Sequence, residues 1–149
     1  MSPPIRVLHV DDEPDVADLT ATFLVREDEA MTVETETSGA DALDRLDADD
    51  FDCVVSDYEM PGMDGLELLD AVRASFPNLP FILFTGEGSE AVASDAIAAG
   101  VTDYLQKKSG TEQYELLATR IRNAVEHTRA EHARQRHLKA IETAREGIS

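Results

Sequence analysis

Four apolar runs in this 149-residue chain close on polar residues, five in all, of the types best suited to chemistry. Asp11 and Asp12 follow Ile5 to Val10, Asp57 follows Cys53-Val54-Val55-Ser56, Thr85 follows Phe81 to Phe84, and Lys107 follows the short Tyr104-Leu105 segment. In open α/β sheets function collects at the carboxyl ends of strands, so residues that end strands in this way are candidates for one site. Three carboxylates gathered at strand tips repel one another, and a hard divalent cation is the expected remedy. Mg2+ takes oxygen ligands octahedrally and keeps several waters, so two side chains and a backbone carbonyl would suffice to hold it. Taken singly, each residue has a plainer role: a helix cap for an aspartate, a turn hydroxyl for Thr85, a surface cation for Lys107, a half-buried sheet residue for Tyr104.

The elements that must position these groups are legible from apolar periodicity. Ile5 to Val10 reads as a buried strand, and Glu13-Pro14 places proline at a helix start, with Val16, Leu19, Thr20 and Phe23 at helical spacing after it. Met31 to Thr37 alternates as an edge strand with one polar face. Ser38 with Asp41, and Asp64 with Glu67, have capping-box spacing ahead of helices carrying Ala42, Leu43 and Leu46, and Leu66, Leu69 and Val72. Pro77 and Pro80 bracket the turn into Phe81 to Phe84, Ser89 can cap an alanine-rich helix, and Gly100 ends it. Strands alternating with amphipathic helices demand a parallel sheet with right-handed crossovers and helices on both faces.

The order Asp-Asp, then Asp57-x-x-Met60-Pro61-x-Met63-Asp64-Gly65, then Thr85, then Lys107 resembles the receiver domain of two-component response regulators, from about Ile5 to the helix after Lys107. That resemblance implies an α/β flavodoxin-like (βα)5 fold, a doubly wound parallel sheet of strand order 2-1-3-4-5 with an extended C-terminal helix. It also implies a function: Asp57 accepts a phosphoryl group from a histidine kinase or phosphotransfer protein with Mg2+ (or Mn2+), and the domain switches conformation to signal to an output module. Asp12 and Asp57 would bind the ion directly, Asp11 through water, and Glu59 through its main-chain carbonyl. Lys107 and Thr85 would meet the phosphoryl oxygens, and Tyr104 matches the aromatic that changes exposure when the threonine moves. A receiver that is not phosphorylated and serves as a protein-interaction module is the alternative.

Two positions depart from the family pattern. Lys108 stands where proline is common, which predicts a trans bond after Lys107, because a non-proline cis bond costs about 2.5 to 4 kcal/mol. Gly86 stands where alanine is commoner and leaves space beside Glu59 and Glu87, near the path of an attacking water. Other classes fit less well. A flavodoxin-type cofactor carrier needs a phosphate cradle where Asp11-Asp12-Glu13 would repel one. An aspartyl-nucleophile phosphohydrolase has its acid pair on the first strand, whereas Asp57 and Glu59 follow the third. His132 follows Glu131, but Ala133-Arg134-Gln135 does not resemble a kinase phosphoacceptor box.

Charge is the strongest compositional signal. The formal net charge is -18. Residues 1 to 110 carry 25 acids against six Lys/Arg, and residues 111 to 149 carry six acids against seven. So acidic a body disfavours direct contact with nucleic acid and would be repelled by an anionic membrane. Screening at high salt would relieve its self-repulsion, and a halophilic, haloarchaeal source is expected. No run approaches the roughly 20 apolar residues of a membrane helix, so a cytoplasmic location is expected. Cys53 alone offers neither a disulfide framework nor a thiolate cluster and reads as a small core residue. His9 reads as a strand side chain. His127, His132 and His137 are about 140° apart on a helix, which gives them no common metal-binding face.

After Lys108, Ser109-Gly110-Thr111-Glu112 again has capping-box spacing, and Tyr114 to Ala144 runs without glycine or proline, which predicts one long helix. Tyr114, Leu117, Ile121 and Val125 form its buried stripe; Ala130, Ala133, Leu138 and Ile141 continue more sparsely. The expected organisation is a receiver domain at 1–125 and a helical linker at 126–149 toward a missing C-terminal module. Ala140 to Ser149 resembles the opening of a sensory PAS domain. A frayed solvated tail and a homodimer through paired C-terminal helices both remain open.

Overall fold

A computed structural model describes residues 3–86 and 89–146. Its ten elements alternate without exception: β1 (Ile5–Val10), α1 (Pro14–Glu27), β2 (Met31–Glu36), α2 (Gly39–Ala48), β3 (Cys53–Ser56), α3 (Gly65–Ser75), β4 (Phe81–Thr85), α4 (Glu90–Ala98), β5 (Asp103–Gln106) and α5 (Glu112–Glu146). All strand pairs are parallel, in the order β2-β1-β3-β4-β5. This is the flavodoxin-like (βα)5 arrangement expected from the sequence, and it sets the ends of β1, β3 and β4 side by side.

The inner strands are largely apolar, with Arg6 and His9 of β1 the exceptions before the strand ends, because helices cover both faces of the sheet. Alternation along each strand sorts the side chains into two cores. Ile5, Val7, Cys53, Val55, Ile82 and Phe84 pack with Leu24 of α1 and with Tyr114, Leu117, Ile121 and Val125 of α5. Leu8, Val10, Val54, Phe81 and Leu83 pack on the other face with Ala42, Leu46, Leu68, Leu69, Val72 and Ala96. β2 lies at an edge, as expected; only Met31 of its residues is buried, and Val33 to Glu36 are all half-buried, so burial does not follow the alternation of its sequence, Glu34 and Glu36 being partly covered by Arg6 and Arg45. Burial pushes the Cys53 thiol far above its usual range, so it remains a core residue.

Local signals explain where the helices start. Pro14 opens α1; Asp64 and Glu67 form a reciprocal capping box at α3, with bonds of 2.8 and 3.3 Å; Ser89 accepts from the Val92 N–H at α4 (3.2 Å). At α2 the cap is one-sided: Ser38 accepts from the Asp41 N–H (3.1 Å), while Asp41, a methylene shorter than glutamate, makes no return bond among the described residues. The start of α5 also differs from the spacing-based expectation. The helix begins at Glu112, and Gln113 closes it instead, accepting from the Lys108 N–H (3.1 Å) and donating to the Gly110 carbonyl (2.8 Å). Gly110 sits at φ +91°, a conformation that favours glycine, and the turn it makes brings residue 113 rather than 112 within reach. No peptide bond among the described residues is cis, Lys107–Lys108 included.

α5 runs 35 residues, about 52 Å at 1.5 Å per residue. Its first turns are held by the buried stripe, by stacking of Tyr114 on Phe23 (4.8 Å), and by Arg122 Nε on Asp28 (2.7 Å). Polar contacts with the body continue to Arg129, which donates to the Pro4 carbonyl (2.6 Å) and pairs with Asp52 (3.4 Å). Beyond it, Leu138 and Ile141 are exposed. His127, His132 and His137 are exposed as well.

His9 is fully buried, and neither ring nitrogen has a hydrogen-bond partner among the described residues. Burial pushes its pKa down to about 4; the Asp11 carboxylate opposes this and the Lys107 ammonium adds to it. The unfolded chain takes up this proton below about pH 6.5, the native one only near 4. Its contribution is therefore complete above about pH 6.5 and is lost as pH falls toward 4. In urea denaturation with a chelator present, wild type should lose on the order of 2 kcal/mol more than His9→Leu between pH 7.5 and 5; equal losses would contradict this.

Candidate functional site

The carboxyl ends of the strands form an open cleft of about 590 Å3, lined by Asp12, Glu13, Asp57, Glu59, Asp64, Lys107 and their neighbours. Asp57 follows β3, and its backbone is fixed on both sides: its N–H donates to the Val10 carbonyl (2.9 Å), and the Gly65 N–H donates to the Tyr58 carbonyl (2.8 Å). Its carboxylate Oδ1 accepts from the Tyr58 N–H (2.7 Å), while Oδ2 lies 3.5 Å from Lys107 Nζ. Asp11 is tied to β2 through its own N–H and the Glu36 carbonyl (3.1 Å). Its Oδ1 accepts from the Glu13 N–H (3.0 Å), and its Oδ2 accepts from Lys107 Nζ at 3.1 Å.

Lys107 reaches the cluster from the other side of the sheet. Its N–H donates to the Thr85 carbonyl (2.9 Å), the last rung between the β4 and β5 ends, and its ammonium lies 5.7 Å from the centre of the Phe84 ring. Asp11, Asp12 and Asp57 each bring a carboxylate oxygen within 4.8 Å of the others. Three carboxylates and one ammonium leave two negative charges in the cluster, and all the available donors are hard oxygens. That donor set fits a hard divalent cation and no soft metal.

The sequence-nominated residues thus converge. Asp11, Asp12, Asp57 and Lys107 form the cluster, Thr85 is buried at the adjoining strand end, and Glu59 lies in the β3–α3 loop with its side chain exposed on the cleft. Tyr104 stands one strand away, half-buried, with its hydroxyl enclosed and without a hydrogen-bond partner among the described residues. Among the described residues a methyl group on Gly86 would meet only Lys107 Cβ, at 3.9 Å, an ordinary contact distance. Glu87 lies outside the described residues.

Three contributors escape sequence reasoning. Phe84 reads as an ordinary strand residue, yet its ring lies beneath the Lys107 ammonium. The Tyr58 N–H is invisible to side-chain patterns. Gly65 reads as a loop breaker, but a methyl group there would collide with the Asp57 carbonyl oxygen and lie 2.8 Å from Leu83 Cδ1. The first turn of α3 is therefore pressed directly against the Asp57 loop.

Comparison with known proteins gives consistent results. The family described as response regulator receiver domain matches residues 7–120. The C4-dicarboxylate transport transcriptional regulatory protein DctD of Rhizobium meliloti is 35% identical over 148 residues, which is 99% of this chain and 31% of that protein. A CheY-like response regulator receiver domain protein from Methanospirillum hungatei superposes with a TM-score of 0.76 at 25% identity, covering 86% of this chain and 98% of the other. The chemotaxis protein CheY4 of Vibrio cholerae does so at 0.71 and 30% identity, covering 79% and 98%. The chain spans less than half the length of the curated relatives it matches.

The contact at Gly65 makes a prediction whose sign discriminates. Helix propensity alone would favour Gly65→Ala by about 1 kcal/mol. The collision with the Asp57 carbonyl should instead destabilise the variant by about 1 to 3 kcal/mol in urea denaturation; a stabilised variant would contradict the packing described.

Proposed function

The chain belongs to the response regulator receiver domain family, phosphoacceptors that catalyse their own phosphorylation and dephosphorylation in two-component signalling, and from that membership we propose that Asp57 takes the phosphoryl group. The observation that carries the assignment is that, of the three clustered acids, Asp57 both opens onto the cleft and has an oxygen beside Lys107, whereas Asp12 shares the cleft but makes no ion pair with that ammonium among the described residues. Asp11 has a side chain 1% exposed and already holds Lys107 and the Glu13 N–H. Asp57, on the central strand, is 17% exposed and faces the cleft beside the same ammonium.

In the proposed step a carboxylate oxygen of Asp57 attacks phosphorus. An oxygen–phosphorus bond forms as the bond from phosphorus to the donor histidine nitrogen breaks, and the imidazole leaves with the electron pair. Phosphoryl transfer is mostly positioning and charge stabilisation, which is the work left to the surrounding residues. Lys107 brings an ammonium to the oxygens in transit, and the Thr85 hydroxyl donates to one of them after transfer. Tyr104, whose hydroxyl is enclosed and has no hydrogen-bond partner among the described residues, follows the threonine as the switch residue. Mg2+ (or Mn2+) would be held by Asp12 and Asp57, by Asp11 through water and by the Glu59 main-chain carbonyl, and when bound it would supply positive charge to the phosphoryl oxygens.

The donor would be a histidine kinase or phosphotransfer protein, in keeping with the family. Residues 1–125 would be the receiver, and 126–149 a helical linker toward an output module, passing the switch on by pairing two α5 helices in a homodimer; a frayed solvated tail is the alternative. The acidic body argues against direct nucleic-acid contact, and no helix among the described residues is long and apolar enough to cross a membrane. The cytoplasm is the proposed location.

Incubation with Mg2+ and acetyl phosphate, followed by intact mass, tests the assignment. Wild type should gain one phosphoryl group, and Asp57→Asn should gain none. An unchanged wild-type mass, or a gain that survives Asp57→Asn, would leave an unphosphorylated interaction module as the better reading.

A further inference from the structure

We propose that Gln113 is a positioning residue for Lys107, so that the first turn of α5 sets where the ammonium stands; this rests on the phosphoacceptor role given above. Lys107 is the first residue beyond β5, and its N–H makes the final rung of the sheet with the Thr85 carbonyl (2.9 Å). The next N–H, that of Lys108, has no strand to meet and donates to Gln113 Oε1 (3.1 Å). The same carboxamide donates through Nε2 to the Gly110 carbonyl (2.8 Å), where φ +91° folds the loop back. One side chain on α5 thus closes the whole Lys108-Ser109-Gly110 loop.

Both amide groups that flank the Lys107 α-carbon are thereby anchored, one by the sheet and one by the helix. A proline at this position would fix φ through its ring and would have no N–H to satisfy. Lys108 does neither, and Gln113 takes over the constraint. The Lys107 side chain is a flexible four-carbon stem whose ammonium sits 3.1 Å from Asp11 and 3.5 Å from Asp57. Loosening its backbone lets the ammonium drift, and in a reaction governed by positioning a displacement of about 1 Å slows transfer up to about 100-fold. Both Gln113 bonds are exposed to solvent, so their loss should change placement far more than stability.

Two readouts test this, the first on Gln113→Ala and Gln113→Glu, the second on these two and on Lys108→Pro. The first is hydrogen exchange of the Lys108 amide by NMR in the metal-free protein. The second is the rate of phosphorylation by acetyl phosphate with Mg2+, resolved into maximal rate and half-saturating concentration. Gln113→Ala should exchange the Lys108 amide at least about ten-fold faster and lower the maximal rate about ten-fold, with half-saturation and melting temperature unchanged. Gln113→Glu keeps an acceptor for the Lys108 N–H and should retain most of the protection and rate. Adding Gln113→Ala to Lys108→Pro should slow it no further. The proposal is overturned if wild type is phosphorylated while Gln113→Ala keeps full protection and rate, or if Gln113→Ala costs as much in the Lys108→Pro background as it does with Lys108 in place. A wild type that accepts no phosphoryl group would overturn the Asp57 assignment and this proposal together.

Discussion

Everything at the working end of this molecule depends on holding three carboxylates together against their mutual repulsion. Asp11, Asp12 and Asp57 come from two neighbouring strands, and one ammonium, Lys107, is shared between Asp11 and Asp57. The sheet order makes this geometry unavoidable: β1 and β3 are adjacent, and β4 stands between them and the β5 end that carries Lys107. A cluster left with two negative charges is a poor resting arrangement for a protein and a good one for a divalent cation. The folding energy that enforces it comes from elsewhere, from the two apolar cores on either face of the sheet.

Those cores also explain why precision is possible at a solvent-facing edge. The backbone of Asp57 is pinned by β1 and by the start of α3, and Gly65 permits an approach that no larger residue allows. Lys107 is placed by the last rung of the sheet and lies over a buried ring. α5 packs on the same core face as Phe84 and closes the Lys107 loop with its first turn. A movement at the phosphorylation edge and a movement of the long helix are therefore mechanically adjacent, with no intermediate element between them.

Much of this was legible in the sequence because strand-end residues announce themselves where an apolar run stops. Asp11, Asp12, Asp57, Thr85 and Lys107 were identifiable in that way, and the alternation of strands and helices constrained the sheet. What stayed hidden depends on approach between segments distant in sequence. Gly65 looks like punctuation until the Asp57 carbonyl is seen against it. Phe84 looks like core until the ammonium is found above it. The α5 cap failed on a single residue, because spacing identified Ser109 and Glu112 while the turn at Gly110 brought Gln113 into reach. His9 gave no sign of being enclosed without a hydrogen-bond partner among the described residues, since a histidine inside a strand can face either water or the core.

Completion of the acid cluster by a divalent ion, as proposed above, can be read from the melting temperatures of wild type and Asp12→Ala as Mg2+ is raised at constant ionic strength. A ligand that binds only the folded state stabilises it by about 1.4 kcal/mol per decade of concentration above its dissociation constant. Wild type should therefore melt progressively higher, and Asp12→Ala should rise much less. An equal rise in both would mean that Mg2+ only screens an acidic surface and that the cluster holds no ion.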